Sequence, residues 1–245
     1  MRKILLFPLF CSLAFAQMGG TAKMGGTATL GGGGISSGTW TTNTDSCAAQ
    51  SGSGSGVTTE SCTWSVAPTS GMSVFCSVVQ FSASVLTFTV TDSNSDSYTA
   101  VGSQVTQGGG TDNVQQVFWF PKLTNTITTS TFNLSGAGGG YPSITCNAAT
   151  DSGASPAIDG SQCSGSNVSS WTSACSSALT PTATDYVFGA SAVASGTQTS
   201  GSGFTLGAAS ATYIANEYGL FSTTVTPSMG GNSSQGSFIG VAFKP

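Results

Sequence analysis

The stretch SVLTFTVTDSNSDSYTAV, residues 84–101, decides the fold class. Leu86, Phe88 and Val90 alternate with Thr87, Thr89 and Thr91, the two-residue period of a strand with one buried face. A run of Asp, Ser and Asn follows, and then a second alternation at Tyr98, Ala100 and Val101. The pattern predicts a β-hairpin, apolar toward a core on one face and lined by threonine on the other.

The same recipe recurs along the chain. Further strands are expected over 72–81, 85–91, 98–101, 114–120, 126–134, 141–148, 186–192, 203–206, 211–218, 221–226 and 238–243. Glycine clusters at 108–110, 138–140 and 230–231 separate several of them. Many short strands without a helical pattern to carry parallel crossovers predict an all-β fold. The expected architecture is a single antiparallel β-sandwich or jelly-roll-like domain over residues 36–245, disulfide-stapled and preceded by a glycine-rich arm. In VFWF (117–120), Val117 and Trp119 share one face and Phe118 and Phe120 the other, so that strand is expected to be buried on both sides. Pro121 marks its end.

Residues 1–16, MRKILLFPLFCSLAFA, read as a secretory signal peptide. Arg2 and Lys3 are the positive start, 4–13 the apolar stretch and Ala14-Phe15-Ala16 the cleavage site. Phe10 before Cys11 stands where lipoprotein processing needs a small residue, so plain export is expected, without membrane insertion after cleavage. Residues 17–35 form a glycine-rich stretch in which the degenerate hexads GGTAKM and GGTATL, followed by GGGGIS running on to Ser36, leave Met18, Met24 and Leu30 six apart. This is either a flexible linker or an extended arm whose three apolar residues face one side and meet another subunit.

Cleavage would leave Lys23, Lys122 and Lys244 as three cations against nine acids, hence a net charge of −6. Nucleic-acid binding needs several phosphate-neutralising cations and is excluded on that ground. Without histidine, imidazole metal sites and Ser-His-Asp or Cys-His catalysis cannot be built within this chain.

Six cysteines remain after the signal sequence, an even number that suggests three disulfides in an exported protein. Locality favours Cys47–Cys62 and Cys163–Cys175, each closing a Ser/Gly-rich loop, with Cys76–Cys146 joining two strands. No CxxC spacing supports a metal–thiolate site instead.

Several motifs in order carry a resemblance: TDSNSDSYTAVG (91–102), VQQVFWFPKL (114–123), ASPAIDGS (154–161), TPTATDYVFGA (180–190), GFTL (203–206) and FIGVAFKP (238–245). Over residues 71–245 the chain resembles an uncharacterised secreted bacterial β-sandwich family. That family has a TDSxGNxYT hairpin, an SPxD turn, a TTxxxDxLFG strand and a terminal AFxP strand. The resemblance implies a β-sandwich at a bacterial surface and transfers no catalytic residue. Asn94-Ser95-Asp96 replaces the glycine-containing turn, and the six cysteines are a further departure.

Three constellations have a chemical and a structural reading. Asp92, Asn94 and Asp96 are spaced like the start of a Ca²⁺ loop, but Ser97 and Ser103 stand where an EF-type loop needs glycine and an acid. A turn is the competing reading. Trp40, Trp64 and Trp171 lie in polar segments near cysteines, as a sugar-stacking platform or as lids over small clusters. Asp151, Asp159, Asp185 and Glu217 are the candidates for acid–base work, which would make the chain a carboxylate-dependent glycan hydrolase or lyase. The sequence is read as a secreted, non-enzymatic surface, adhesion or matrix protein, with itself or extracellular glycans as partners. The alternative is a carbohydrate-binding module, and Ca²⁺ is the one cofactor entertained.

Overall fold

The structure is a computed structural model that describes residues 38–51, 57–81, 87–107, 113–135, 140–153, 156–169, 171, 174–193, 196–210, 214–232 and 235–245. The expected signal peptide (1–16) and glycine-rich arm (17–35), with Met18, Met24 and Leu30, lie outside the described residues. Among the described residues there are strands and no α-helix. In order they are β1 (Trp40–Gln50), β2 (Thr59–Thr63), β3 (Met72–Gln80), β4 (Thr87–Asp92), β5 (Thr99–Gln107), β6 (Asn113–Phe120), β7 (Thr129–Ser135) and β8 (Ser143–Asp151). Then come β9 (Ala157–Val168), β10 (Asp185–Val193), β11 (Gly196–Ser200), β12 (Thr205–Ser210), β13 (Ile214–Phe221), β14 (Met229–Asn232) and β15 (Gly236–Lys244).

Two five-stranded antiparallel sheets, β1-β8-β3-β6-β5 and β12-β13-β10-β15-β9, face each other as the two halves of a sandwich. Between them lies a core rich in aromatics. Phe75 of β3 sits among Trp40, Trp119, Tyr186, Phe188 and Phe243, with ring centroids 4.5 Å away at Tyr186 and 4.6 Å away at Phe243. Phe75 is fully buried.

Each five-stranded sheet is also covered on its outer face. The three-stranded sheet β2-β7-β4 contributes Phe88, Val90, Phe132 and Leu134 to a second core, against Val74, Val78, Phe118 and Ile144. On the far side, the β11-β14 ribbon and the segment around Cys175 cover Val187, Ala215, Phe238 and Ala242. This explains why β3, β10 and most of β15 are buried at every position: alternate residues feed different cores. Val117 and Trp119 do face one core and Phe118 and Phe120 the other.

The expected hairpin over residues 84–101 is a correction. Strand β4 belongs to the three-stranded sheet and β5 to the five-stranded sheet beneath it, so the two do not pair along their length. Thr91 and Ser97 bridge at the neck, and the Tyr98 N–H donates to the Val90 carbonyl at 2.9 Å. Alternation reports which side chains face a core. It does not report which strand is the neighbour. Here Phe88, Val90 and Tyr98 enter one core and Val101 enters the other, so the chain turns a corner between layers. The expected strand at 221–226 is likewise mostly absent: β13 ends at Phe221, and only Val225 bridges, to Leu179.

The sulfurs bond as Cys47–Cys62, Cys76–Cys146 and Cys163–Cys175, the pairs that locality suggested. Cys47, Cys146 and Cys76 are successive register partners across β1, β8 and β3. One bridge therefore locks neighbouring strands within the sheet, and Cys47–Cys62 ties that sheet to β2 above it. The Cys47, Cys62 and Cys146 sulfurs lie within 4.8 Å of one another, as two disulfides side by side.

Two outcomes are expected. Phe75→Ala should cost about 3–5 kcal/mol of unfolding free energy in urea titrations, because five rings lose their common contact. The bridge Cys76–Cys146 closes a separation of 70 residues, and replacing both by alanine should cost about 2–5 kcal/mol by the same measurement.

Candidate functional site

The three tryptophans are corrections to the stacking-platform expectation: each is buried, at 4%, 5% and 6% exposure for Trp40, Trp64 and Trp171. Trp40 donates its indole N–H to the Phe243 carbonyl at 2.7 Å and packs against Phe75 and Tyr186. Trp64 donates to the Ser130 hydroxyl at 3.0 Å. Trp171 lies over Gly236, where a Cβ would meet the ring at 2.8 Å. They belong to the cores.

Asp92, Asn94 and Asp96 stand together in the corner between β4 and β5. Asp92 Oδ1 accepts the backbone N–H groups of Asn94 at 2.9 Å and Asp96 at 3.2 Å. The Asn94 amide donates to the Thr126 carbonyl at 3.2 Å. Ser95 takes the left-handed conformation, φ 65°, that a glycine would occupy without strain. Asp92 is 6% exposed, and burial raises its carboxyl above the ordinary value against the two backbone N–H bonds that lower it. Its oxygens hold the corner together, which is the turn reading of this motif.

The four candidate acids separate into anchors and a pair. Asp151 Oδ1 accepts the Gly153 N–H at 2.8 Å. Glu217, fully buried on β13, accepts the N–H groups of Gly201 at 2.7 Å and Ser228 at 3.1 Å. It thereby holds the turns on either side of the β11-β14 ribbon. Burial pushes its carboxyl up to about 8, and the two backbone bonds pull against that shift.

Asp159 and Asp185 come together. A register shift between β15 and β9 leaves extra residues around Asp159 and Gly160, whose φ is 67°. Asp185 opens β10 on the other side of β15. The two carboxyls are close enough for each to act on the other's ionisation. Asp159 Oδ2 also accepts the N–H and hydroxyl of Thr182, at 2.6 and 2.7 Å. Burial, then the bond to Asp159 and its charge, push Asp185 up to about 7, while the Ala183 N–H and the Lys244 ammonium pull it down. Burial raises Asp159 too, but its bonds to Asp185 and Thr182 and the charge of Lys244 bring it below the ordinary value. Both side chains are closed from solvent, Asp159 at 7% and Asp185 at 0% exposure.

Two surface features are open. On the outer face of β2-β7-β4, Ser61, Thr131 and Thr91 form one register row and Thr59, Asn133 and Thr89 the next. The Ser61 and Thr131 hydroxyls hydrogen-bond at 2.9 Å. The second feature is a groove of about 560 Å³ between β5 and β9, the outer edges of the two large sheets. Gln104, Thr106, Ser164, Ser166, Ser169 and Ser176 supply its polar lining. Val105, Val168 and Ala174, none more than 8% exposed, are its apolar lining, and none of the described lining residues is ionisable. Sequence reasoning missed this groove, since Ser and Gln on a strand edge carry no signal that separates them from any solvated surface.

Comparison of the chain with protein-family models, with curated proteins and with solved structures gave no match.

Asp185 and Glu217 bind their protons more tightly in the folded chain than at their ordinary values of 3.8 and 4.5. Their contribution to stability is therefore fully present below about pH 4 and is lost as the pH rises through 7 and 8. Asp159 acts oppositely, losing its contribution only as the pH falls below its ordinary value of 3.8. Thermal midpoints should be highest in mild acid and fall toward pH 8, and Asp185→Asn should flatten the part of the fall centred near 7. A midpoint that climbs from pH 5 to pH 8 would contradict the assignment.

Proposed function

We infer that this is an exported, non-enzymatic β-sandwich that serves as a surface, adhesion or matrix component outside the cell. The observation that carries the reading is the three buried disulfides distributed through the layers, none of whose cysteines is more than 6% exposed. Such bridges form and persist in oxidising compartments. No helix among the described residues is long and apolar enough to cross a membrane.

The acids support the non-enzymatic side of the reading. Asp151 and Glu217 are engaged by backbone N–H groups, and the Asp159–Asp185 pair is covered on all sides. General acid–base catalysis needs a carboxyl within reach of a substrate proton. The hydroxyl rows on β2-β7-β4 suit a durable exterior that stays hydrated with little charge. Low charge also removes long-range repulsion between copies, which favours side-by-side assembly. The ordered motifs of the secreted bacterial family point to the same location.

Fractionation of cells expressing residues 1–245 tests this. The expected product begins at Gln17, is recovered from the medium or cell surface and resists thiol alkylation until denatured and reduced. Recovery in the cytosol with free thiols overturns the reading. Electron microscopy of the same material separates its branches: filaments or sheets identify a matrix component, and dispersed monomers identify an adhesin or binding module.

A further inference from the structure

The groove between β5 and β9 lies where the two large sheets part company. Near one end they are still in touch: Gln162 of β9 reaches the Ser103 carbonyl at 3.4 Å and packs over Gly102, φ 62°. Beyond that contact lies the groove, bordered by residues 104–106 on one side and by 164–166, 168, 169, 174 and 176 on the other.

The second wall is covalently braced. Cys163 precedes Ser164, and Cys175 lies between Ala174 and Ser176, so the Cys163–Cys175 bridge clamps both stretches of that wall. The backbones approach closely there. A Cβ on Gly165 would come within 2.1 Å of the Ala174 carbonyl, and the Ser176 N–H donates to the Ser164 carbonyl at 3.1 Å. A wall held in this way loses little freedom when a ligand binds, which removes one of the main costs of weak association.

We propose that this groove is a binding site for a neutral oligosaccharide segment, its hydroxyls meeting those of Thr106, Ser164, Ser166, Ser169 and Ser176. The proposal rests on the extracellular reading above and names the partner class that reading leaves open. Three observations carry it. The volume lies within the range of small-ligand clefts, roughly 300–1,000 Å³. The lining is uncharged in a protein with so few cations, so neither a phosphate, a uronic acid nor an amine is met by an opposite charge. Serine and threonine hydroxyls each donate and accept and rotate to suit, matching a sugar hydroxyl in either orientation.

An extended peptide adding to a sheet edge is the competing occupant, and the walls suit it poorly. The β5–β6 register shifts between Val101 and Val105, and the β9–β15 register shifts where Gly165 and Val168 face Phe238 and Gly236. The Ser164 carbonyl is already taken by Ser176. Bulges and a capped carbonyl interrupt the even ladder that strand addition needs.

The test titrates the protein starting at Gln17 with cello-, xylo- and mannohexaose, with oligogalacturonate of equal length as the charged control. A synthetic peptide of residues 18–34 is a further probe. Following backbone amide signals by NMR, the neutral hexasaccharides should shift residues 104–106 and 164–169 with dissociation constants on the order of 10⁻⁴ M, an affinity ordinary for an open site. Thr106→Trp and Ser166→Trp, which fill the gap, should weaken binding roughly tenfold or more, while Thr89→Trp on the outer face of β4 should leave it unchanged. The wild-type shifts stand as evidence even where a filled variant folds badly. The proposal is overturned if no neutral hexasaccharide moves those signals, if both filled variants still bind, if oligogalacturonate binds as tightly, or if the 18–34 peptide alone occupies the groove. None of these results bears on export or oxidation, which fractionation reads separately.

Discussion

The packing of β3 between two cores is the constraint on which the rest of the structure depends. Phe75 points into the aromatic cluster shared by the two large sheets, while Val74, Cys76 and Val78 point the other way into the core beneath β2-β7-β4. A strand buried on both faces cannot slip by one residue without driving large rings into the space meant for valine and sulfur. The Cys76–Cys146 bond closes that option covalently, since it joins register partners on adjacent strands. Once β3 and β8 are set, β1 follows through Cys47, which is both the next register partner in the row and the link to β2 above.

The space between the two large sheets is not uniformly apolar. Away from the Phe75 cluster, Gln115 donates to the Ser77 hydroxyl at 3.0 Å and to the Ala190 carbonyl at 3.1 Å, and Ser237 bonds Asn113 and Gln115 at 2.8 and 2.7 Å. Asn216 donates to the Thr145 hydroxyl at 2.6 Å, which in turn donates to the Ala208 carbonyl at 2.9 Å. Tyr186 reaches from the aromatic cluster itself to Asn147. Buried polar groups cost several kcal/mol when unpaired, so these bonds tolerate few alternative alignments of one sheet over the other. The aromatic cluster supplies most of the attraction, and the polar network restricts how the sheets can satisfy it.

This division explains what could be read in advance. The alternation at Phe88 and Val90, the two-faced VFWF and the even cysteine count all report burial or disulfide pairing. Those depend on residue type and spacing, and the layered all-β fold follows from them. Strand partners depend on three-dimensional closure, which is why residues 84–101 read as a hairpin while β4 and β5 separate into different sheets. Strands β1, β2 and β9 escaped notice because polar and small residues outnumber large apolar ones in each, and disulfides or neighbouring layers rather than their own apolar content hold them in place. The Asp159–Asp185 pair was invisible for a related reason: the two acids lie on strands either side of β15, and a bulge brings them together.

The scarcity of cations has a consequence that reaches the core. A buried carboxylate is commonly compensated by arginine or lysine, but Lys122 and Lys244 are the only such cations among the described residues. Lys122 Nζ donates to the Gly153 carbonyl at 2.6 Å, and Lys244 acts on the Asp159–Asp185 pair from the end of β15. Glu217 has no cation among its partners and relies on two backbone N–H groups and on its proton. Protons therefore do much of the work that salt bridges do elsewhere, and they leave as the medium turns alkaline. The internal acids of such a chain tie its stability to a neutral or acidic surrounding.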